Sequence, residues 1–129
     1  MYPEDLRYTK EHEWARVDAD GVRVGITHFA QDSLGDIVYV DMPAPGTAVT
    51  AGQTFGEVES TKSVSDLYSP ISGTIRERNA ALEDAPELVN QDPYGKGWMI
   101  LIEPSDPGEI DALLTSAGYQ GFVEAESAG

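Results

Sequence analysis

The stretch Phe55-Gly56-Glu57-Val58-Glu59-Ser60-Thr61-Lys62-Ser63-Val64-Ser65-Asp66-Leu67-Tyr68-Ser69-Pro70-Ile71-Ser72-Gly73 decides how the chain is read. Residues 55–59 and 64–68 read as two short strands, and Ser60-Thr61-Lys62-Ser63 lies between them. A hairpin over about residues 55–68 is expected, with Lys62 at its tip. Lys62 is one of three lysines, the others being Lys10 and Lys96. Its neighbours Ser60, Thr61, Ser63 and Ser65 are small, and the acids Glu57, Glu59 and Asp66 stand further off. An amine that is to be modified must protrude without a bulky side chain beside it. A stiff hairpin meets that need by presenting one side chain at a fixed place. On spacing alone a solvated turn lysine is the plainer reading, because turn lysines are common.

Outward from the hairpin, the chain reads as short strands and frequent turns. On the C-terminal side, residues 69–73 turn and residues 74–77 form another strand. Thr54-Phe55-Gly56-Glu57-Val58 and Ser72-Gly73-Thr74-Ile75 echo each other on either side of Lys62, which suggests two similar halves. Asp84-Ala85-Pro86-Glu87 has the form of a capping box opening a short helix that ends near Asn90. Residues 98–102 read as a buried strand. Asp106-Pro107-Gly108-Glu109 starts a C-terminal helix, about residues 107–117, with Pro107 at the tolerated first position and Gly118 as its stop. A further helical piece is expected around residues 119–123.

On the N-terminal side, Ile37-Val38-Tyr39-Val40 is a continuous apolar run, hence a strand covered on both faces. Thr27 is an N-cap for a helix over residues 28–34, with Gly35 just past its end. Val22, Val24 and Ile26 alternate with Arg23 and Gly25, a strand with one buried face. Residues 13–17 are its partner, joined through Asp18-Ala19-Asp20-Gly21. The fold class is therefore mainly β with helical additions, a small sandwich or barrel.

Composition narrows the function. The length of 129 residues suits one domain. With 40% hydrophobic and 24% charged residues the chain is expected to fold, and only the small, acidic tail over residues 124–129 is expected to be disordered. There is no cysteine, which excludes disulfides, thiolate catalysis and cysteine-based metal sites. The formal net charge of −15 would repel phosphate backbones, so nucleic acid is not an expected partner. The same field favours a monomer and can steer partners that carry basic patches. The opening Met1-Tyr2-Pro3-Glu4-Asp5-Leu6 has neither a basic cap nor an apolar run. No segment looks able to span a bilayer. A cytoplasmic bacterial protein is the expectation, with a processed organellar form as the alternative.

Other chemistry finds little support. His12 and His28 are the only histidines, and no third ligand with metal spacing accompanies them. Trp14 and Trp98 read as core residues. No glycine-rich phosphate loop precedes a helix, and no Ser/His/Asp set is recognisable.

The segment around Lys62 closely resembles the lipoyl-attachment segment of glycine cleavage H proteins. Further stretches resemble the same family in order: Tyr8-Thr9-Lys10-Glu11-His12-Glu13-Trp14, residues 25–36, residues 90–99 and the C-terminal helix. One departure is Glu11, where several relatives carry Ser, so no hydroxyl is available there. The resemblance implies a barrel–sandwich hybrid of the lipoyl/biotinyl-carrier type. It implies a non-catalytic carrier in which lipoic acid forms an amide with Lys62. The implied partners are a pyridoxal-phosphate glycine decarboxylase, an aminomethyltransferase that uses tetrahydrofolate, and dihydrolipoyl dehydrogenase. A lipoyl ligase or octanoyltransferase would install the arm. The partners' cofactors do the difficult chemistry, and the carrier delivers the aminomethyl group. That group is prone to lose ammonia and formaldehyde in water, so a sheltering cleft is expected. By resemblance its amine would lie near Glu13 and Asp66, and His12 could line the cleft.

Two other roles share the architecture. A lipoyl-relay protein, or a carrier for another lipoate-dependent pathway, would be lipoylated at Lys62 without turnover by glycine decarboxylase. A biotin carrier usually flanks its lysine with methionines, whereas Thr61 and Ser63 stand here. An enzyme in its own right has the least support, because no convergent catalytic set is visible.

Overall fold

Alternating burial of Val22, Val24 and Ile26 builds β3 (Gly21–Ile26) in the computed structural model, which describes residues 2–128 and side chains through residue 126. Its partner β2 (Glu13–Asp18) runs antiparallel, with Asp18 opposite Gly21. The Asp20 N–H donates to Asp18 Oδ1 at 2.9 Å and closes the turn. On one side β2 pairs with β1 (Arg7–Tyr8). On the other, β3 pairs with β9 (Ile100–Pro104), β9 with β8 (Gly73–Arg78), and β8 with β5 (Ala48–Val49). The second sheet has the order β4 (Ile37–Asp41), β6 (Thr54–Ser60), β7 (Val64–Tyr68). Among the described residues both sheets are open and antiparallel, so the architecture is a sandwich and not a closed barrel. The echoed segments at Thr54 and Gly73 open β6 and β8, which lie in different sheets.

The inner faces of the two sheets meet in one apolar cluster that includes Val24, Val40, Val58, Leu67, Ile75 and Ile102. Burying each such side chain contributes roughly 1.5–3 kcal/mol. A second cluster holds Leu6, Tyr8, Trp14, Tyr119 and Val123, under the C-terminal helix. Tyr8 and Tyr119 stack with centroids 4.7 Å apart. The Trp14 indole N–H donates to the Pro93 carbonyl at 3.0 Å. Gly25 faces that indole, and a Cβ there would come within 2.7 Å of the ring.

Helix α1 (His28–Leu34) starts where Thr27 accepts the Ala30 N–H and ends at Gly35, as the capping residues predict. Other expectations need correction. Val38 and Tyr39 of β4 are exposed, so that strand is covered on one face only. Residues 84–87 form no capping box. Helix α2 (Ala81–Asp84) already ends there and α3 (Leu88–Gln91) begins after Pro86, neither with a side-chain cap. Trp98 and Met99 precede β9, and the Asn79 side-chain amide donates to the Trp98 carbonyl at 2.7 Å.

The C-terminal helix is displaced from 107–117. Pro107–Ala112 is a 3₁₀ turn, capped by Asp106 accepting the Gly108 N–H. Leu114 then exchanges both backbone hydrogen bonds with Tyr8, at 2.9 and 2.8 Å, which holds it extended. Helix α4 spans Ser116–Ala128, with Gly118 inside its first turn because Thr115 Oγ1 accepts the Gly118 N–H. The tail expected to be disordered over 124–129 is thus helical through 128, while residue 129 lies outside the described residues. No helix is long and apolar enough to cross a membrane among the described residues.

Candidate functional site

The tip between β6 and β7 is built around Ser60, which is buried. Its Oγ accepts the N–H groups of Lys62 and Ser63, at 3.2 and 3.1 Å. The Ser60 N–H donates to the Ser63 carbonyl at 2.8 Å, and the Thr61 N–H donates to the Asp36 carbonyl at 3.1 Å. These bonds satisfy the tip's backbone and fasten it to the loop after α1. Sequence reasoning saw Ser60 only as a small neighbour; its role as a backbone acceptor depends on its pointing inward.

Lys62 is exposed, and its ammonium donates to the Ser33 carbonyl at 3.1 Å. Ser33 lies in the last turn of α1, where carbonyls lack helical partners and favour a cation. Gly35 makes room for this contact. It adopts φ 85°, and a Cβ there would lie 3.2 Å from Lys62 Cε.

A cleft of about 330 Å³ opens beside this carbonyl. Phe29, Ala30, Ser33 and Leu34 of α1, Ser65 of β7, His12 and Glu126 line it, with the His12 and Phe29 rings 4.8 Å apart. Glu11 also lines it. The lining therefore combines apolar side chains of α1 (Phe29, Ala30, Leu34) with the carboxylates of Glu11 and Glu126. Nothing in the sequence around Glu126 marked it as part of a site.

The structure brings His12 into this cleft and not the other candidates. His12 has φ 73°, a left-handed backbone unusual for a residue with a side chain. Its Nδ1 lies 2.7 Å from the Tyr119 hydroxyl and its Nε2 lies 3.3 Å from Glu126. Glu13 does not line the cleft and is buried, at 1% exposure. Its Oε1 accepts the Thr9 hydroxyl at 2.7 Å, and its Oε2 accepts the Tyr68 N–H at 3.3 Å. Burial pushes the Glu13 carboxyl up to about 8, while the bonds from Thr9 and Tyr68 pull the other way. Asp66 is exposed, opposite Glu57 on the outer face of the smaller sheet. His28 lines a separate cleft of about 330 Å³ with Pro93 and Tyr94.

The sequence profile described as Glycine cleavage H-protein matches residues 6–126. The chain belongs to the glycine cleavage H-protein family. The glycine cleavage system H protein of Geobacillus thermodenitrificans (strain NG80-2) is 60% identical over 121 residues, covering 94% of this chain and 95% of its own. That of Anaeromyxobacter sp. (strain K) is 58% identical over 124 residues, covering 96% and 97%. The crystal structure of a glycine cleavage system H protein from Mycobacterium marinum matches with a TM-score of 0.86 at 46% identity, over 93% of this chain and 97% of that one. Proteins of the family carry a lipoyl group on a lysine. The chain is accordingly a non-catalytic lipoyl carrier that works with other components of the glycine cleavage system.

The site suits such a group. An exposed amine among small side chains leaves room for an acyl chain. Phe29, Ala30 and Leu34 in the adjoining cleft suit an aliphatic arm with a dithiolane end.

Proposed function

We propose that Lys62 is the lipoyl-bearing lysine, attached through an amide at Nζ, and that residues 1–129 act as one lipoyl-carrier domain. The observation that carries this reading is the mounting of the amine. Lys62 stands on a hairpin tip pinned by Ser60 and Asp36, and its ammonium bonds the Ser33 carbonyl at the edge of a cleft lined in part by Phe29, Ala30 and Leu34. Lys10 and Lys96 are exposed but have no such mount.

The lipoyl group supplies a redox-active pair of sulfurs for carrying the aminomethyl group of glycine. The chain's own residues do the rest. Phe29 and Leu34 exclude water from the cleft, which slows hydrolysis of a labile amine. Glu11 and Glu126 offer carboxylates where a cationic amine would gain charge-assisted hydrogen bonds. His12 lines the same cleft. Glu13, whose carboxyl is pushed up to about 8 by burial, ties Thr9 to the end of β7. Asp66 serves the outer face. The partners that fit this role are glycine decarboxylase, aminomethyltransferase and dihydrolipoyl dehydrogenase, with a lipoyl ligase or octanoyltransferase to install the arm.

Intact-mass measurement with peptide mapping tests the assignment. The mass increase of one lipoyl group is expected on Lys62 and is expected to vanish in Lys62→Ala. A bare Lys62 in a lipoate-replete host that supplies the installing enzyme would overturn it.

A further inference from the structure

Among the described residues the outer face of the β4-β6-β7 sheet is exposed, and its side chains fall into two rows. In the first, Tyr39 lies opposite Glu59 and Glu59 opposite Val64. In the second, Asp41 lies opposite Glu57 and Glu57 opposite Asp66. All six residues are exposed. Tyr39 and Val64 are 55% and 57% exposed, and with Val38 they make up three of the four large apolar side chains so exposed among the described residues.

Residues directly opposite in an antiparallel pair hold their Cβ atoms about 4.5–5.5 Å apart, and like charges there are destabilising. Asp41, Glu57 and Asp66 thus form a ladder of three carboxylates across three strands. None of them is in an ion pair among the described residues. Neither the carboxylate ladder nor the exposed apolar row helps the isolated chain fold. Both suit a partner that brings cations and an apolar recess to the same face. The face borders Lys62, which closes the hairpin joining two of its strands.

We infer that this sheet face is the docking surface for the enzyme that loads the arm, through a mouth that pairs two or more arginines or lysines with an apolar recess. The inference rests on Lys62 carrying the lipoyl group. An unloaded lipoyl arm is uncharged, so it offers no electrostatic guide to the enzyme that must load it. Recognition then falls to the surface around the lysine. Tyr39 and Val64 supply the apolar contact, and the carboxylate ladder sets the orientation.

The test uses lipoylated carrier, with its modification verified by mass, as substrate for glycine decarboxylase in a glycine–bicarbonate exchange assay. The double variant Asp41→Asn/Glu57→Gln removes two of the three ladder charges while keeping side-chain shape. A second double variant, Asp84→Asn/Glu87→Gln, makes the same charge change on exposed residues of the α2–α3 region. The ladder variant is expected to raise KM for the carrier roughly tenfold at low salt, and the control variant much less. Added salt should bring the KM of the unsubstituted carrier toward that of the ladder variant. Removal of like-charge contacts should leave thermal stability equal or higher, which verifies folding. Equal KM for all three proteins, or equal rises in both variants, would overturn the docking surface while leaving the carrier role intact. An unsubstituted chain that is lipoylated on another lysine, or not at all, would overturn both readings together.

Discussion

Burial holds the Glu13 carboxyl against ionisation, because desolvation costs the charged form more than the bonds from Thr9 and Tyr68 return. Its folded value of about 8 lies above the ordinary 4.5. The folded protein therefore keeps a proton that the unfolded chain has lost between those values. Glu13's contribution is full below about pH 4.5 and declines as pH rises toward 8. Glu13→Gln keeps the shape and removes the titration. The variant should gain stability relative to the unsubstituted protein, on the order of a few kcal/mol, between pH 5 and pH 8.5. Urea unfolding of both proteins at the two pH values measures the difference. A gap that does not change with pH would show that Glu13 does not hold the proton. The string around His12, Glu13 and Trp14 was legible as a family signature. The burial of Glu13 was not, because the contact with Tyr68 joins it to a segment 55 residues away.

At the scale of elements, the hairpin and α1 were readable because their signals are local. Thr27 and Gly35 bracket the helix, and small polar residues mark the turn at Lys62. The capping box read at 84–87 failed because Pro86 separates two short helices that are set by packing of Leu82 and Val89. The helix read at 107–117 failed because Leu114 pairs with Tyr8, a contact that no local window contains. The tip itself gives a sharper test. Ser60→Ala removes the acceptor of two backbone N–H groups and should destabilise the protein by about 1–3 kcal/mol. Amide exchange at Lys62 and Ser63 should quicken, and lipoylation should slow several-fold as the amine loses its fixed position. Ser63→Ala is the comparison. Its hydroxyl makes no hydrogen bond among the described residues, so its effect should stay within about 0.5 kcal/mol. Equal lipoylation rates in all three proteins would show that the pinned tip does not matter to modification.

At the scale of the molecule, alternation revealed strands but not their neighbours. β3 lies beside β9 although most of the chain separates them. The aromatic cluster under α4 was likewise hidden, since Tyr8, Trp14 and Tyr119 carry no periodic signal in common. Tyr119 connects these distant parts. Its ring stacks on Tyr8, and its hydroxyl lies 2.7 Å from both the Thr27 hydroxyl and His12 Nδ1. One oxygen thus joins the start of α1, the cleft wall and the C-terminal helix. Tyr119→Phe keeps the stacking and removes those bonds, leaving Thr27 Oγ1 and His12 Nδ1 each short of a partner. A loss of about 1–3 kcal/mol in unfolding free energy is expected. The cleft should loosen as well, because α1, His12 and α4 all contribute to its lining. Lipoylation of Tyr119→Phe should proceed at the usual rate, since the hairpin tip is untouched. The loaded carrier should release formaldehyde and ammonia faster. Measuring that release against the unsubstituted protein separates the two effects. A destabilised variant with unchanged release would confine Tyr119 to holding the fold together.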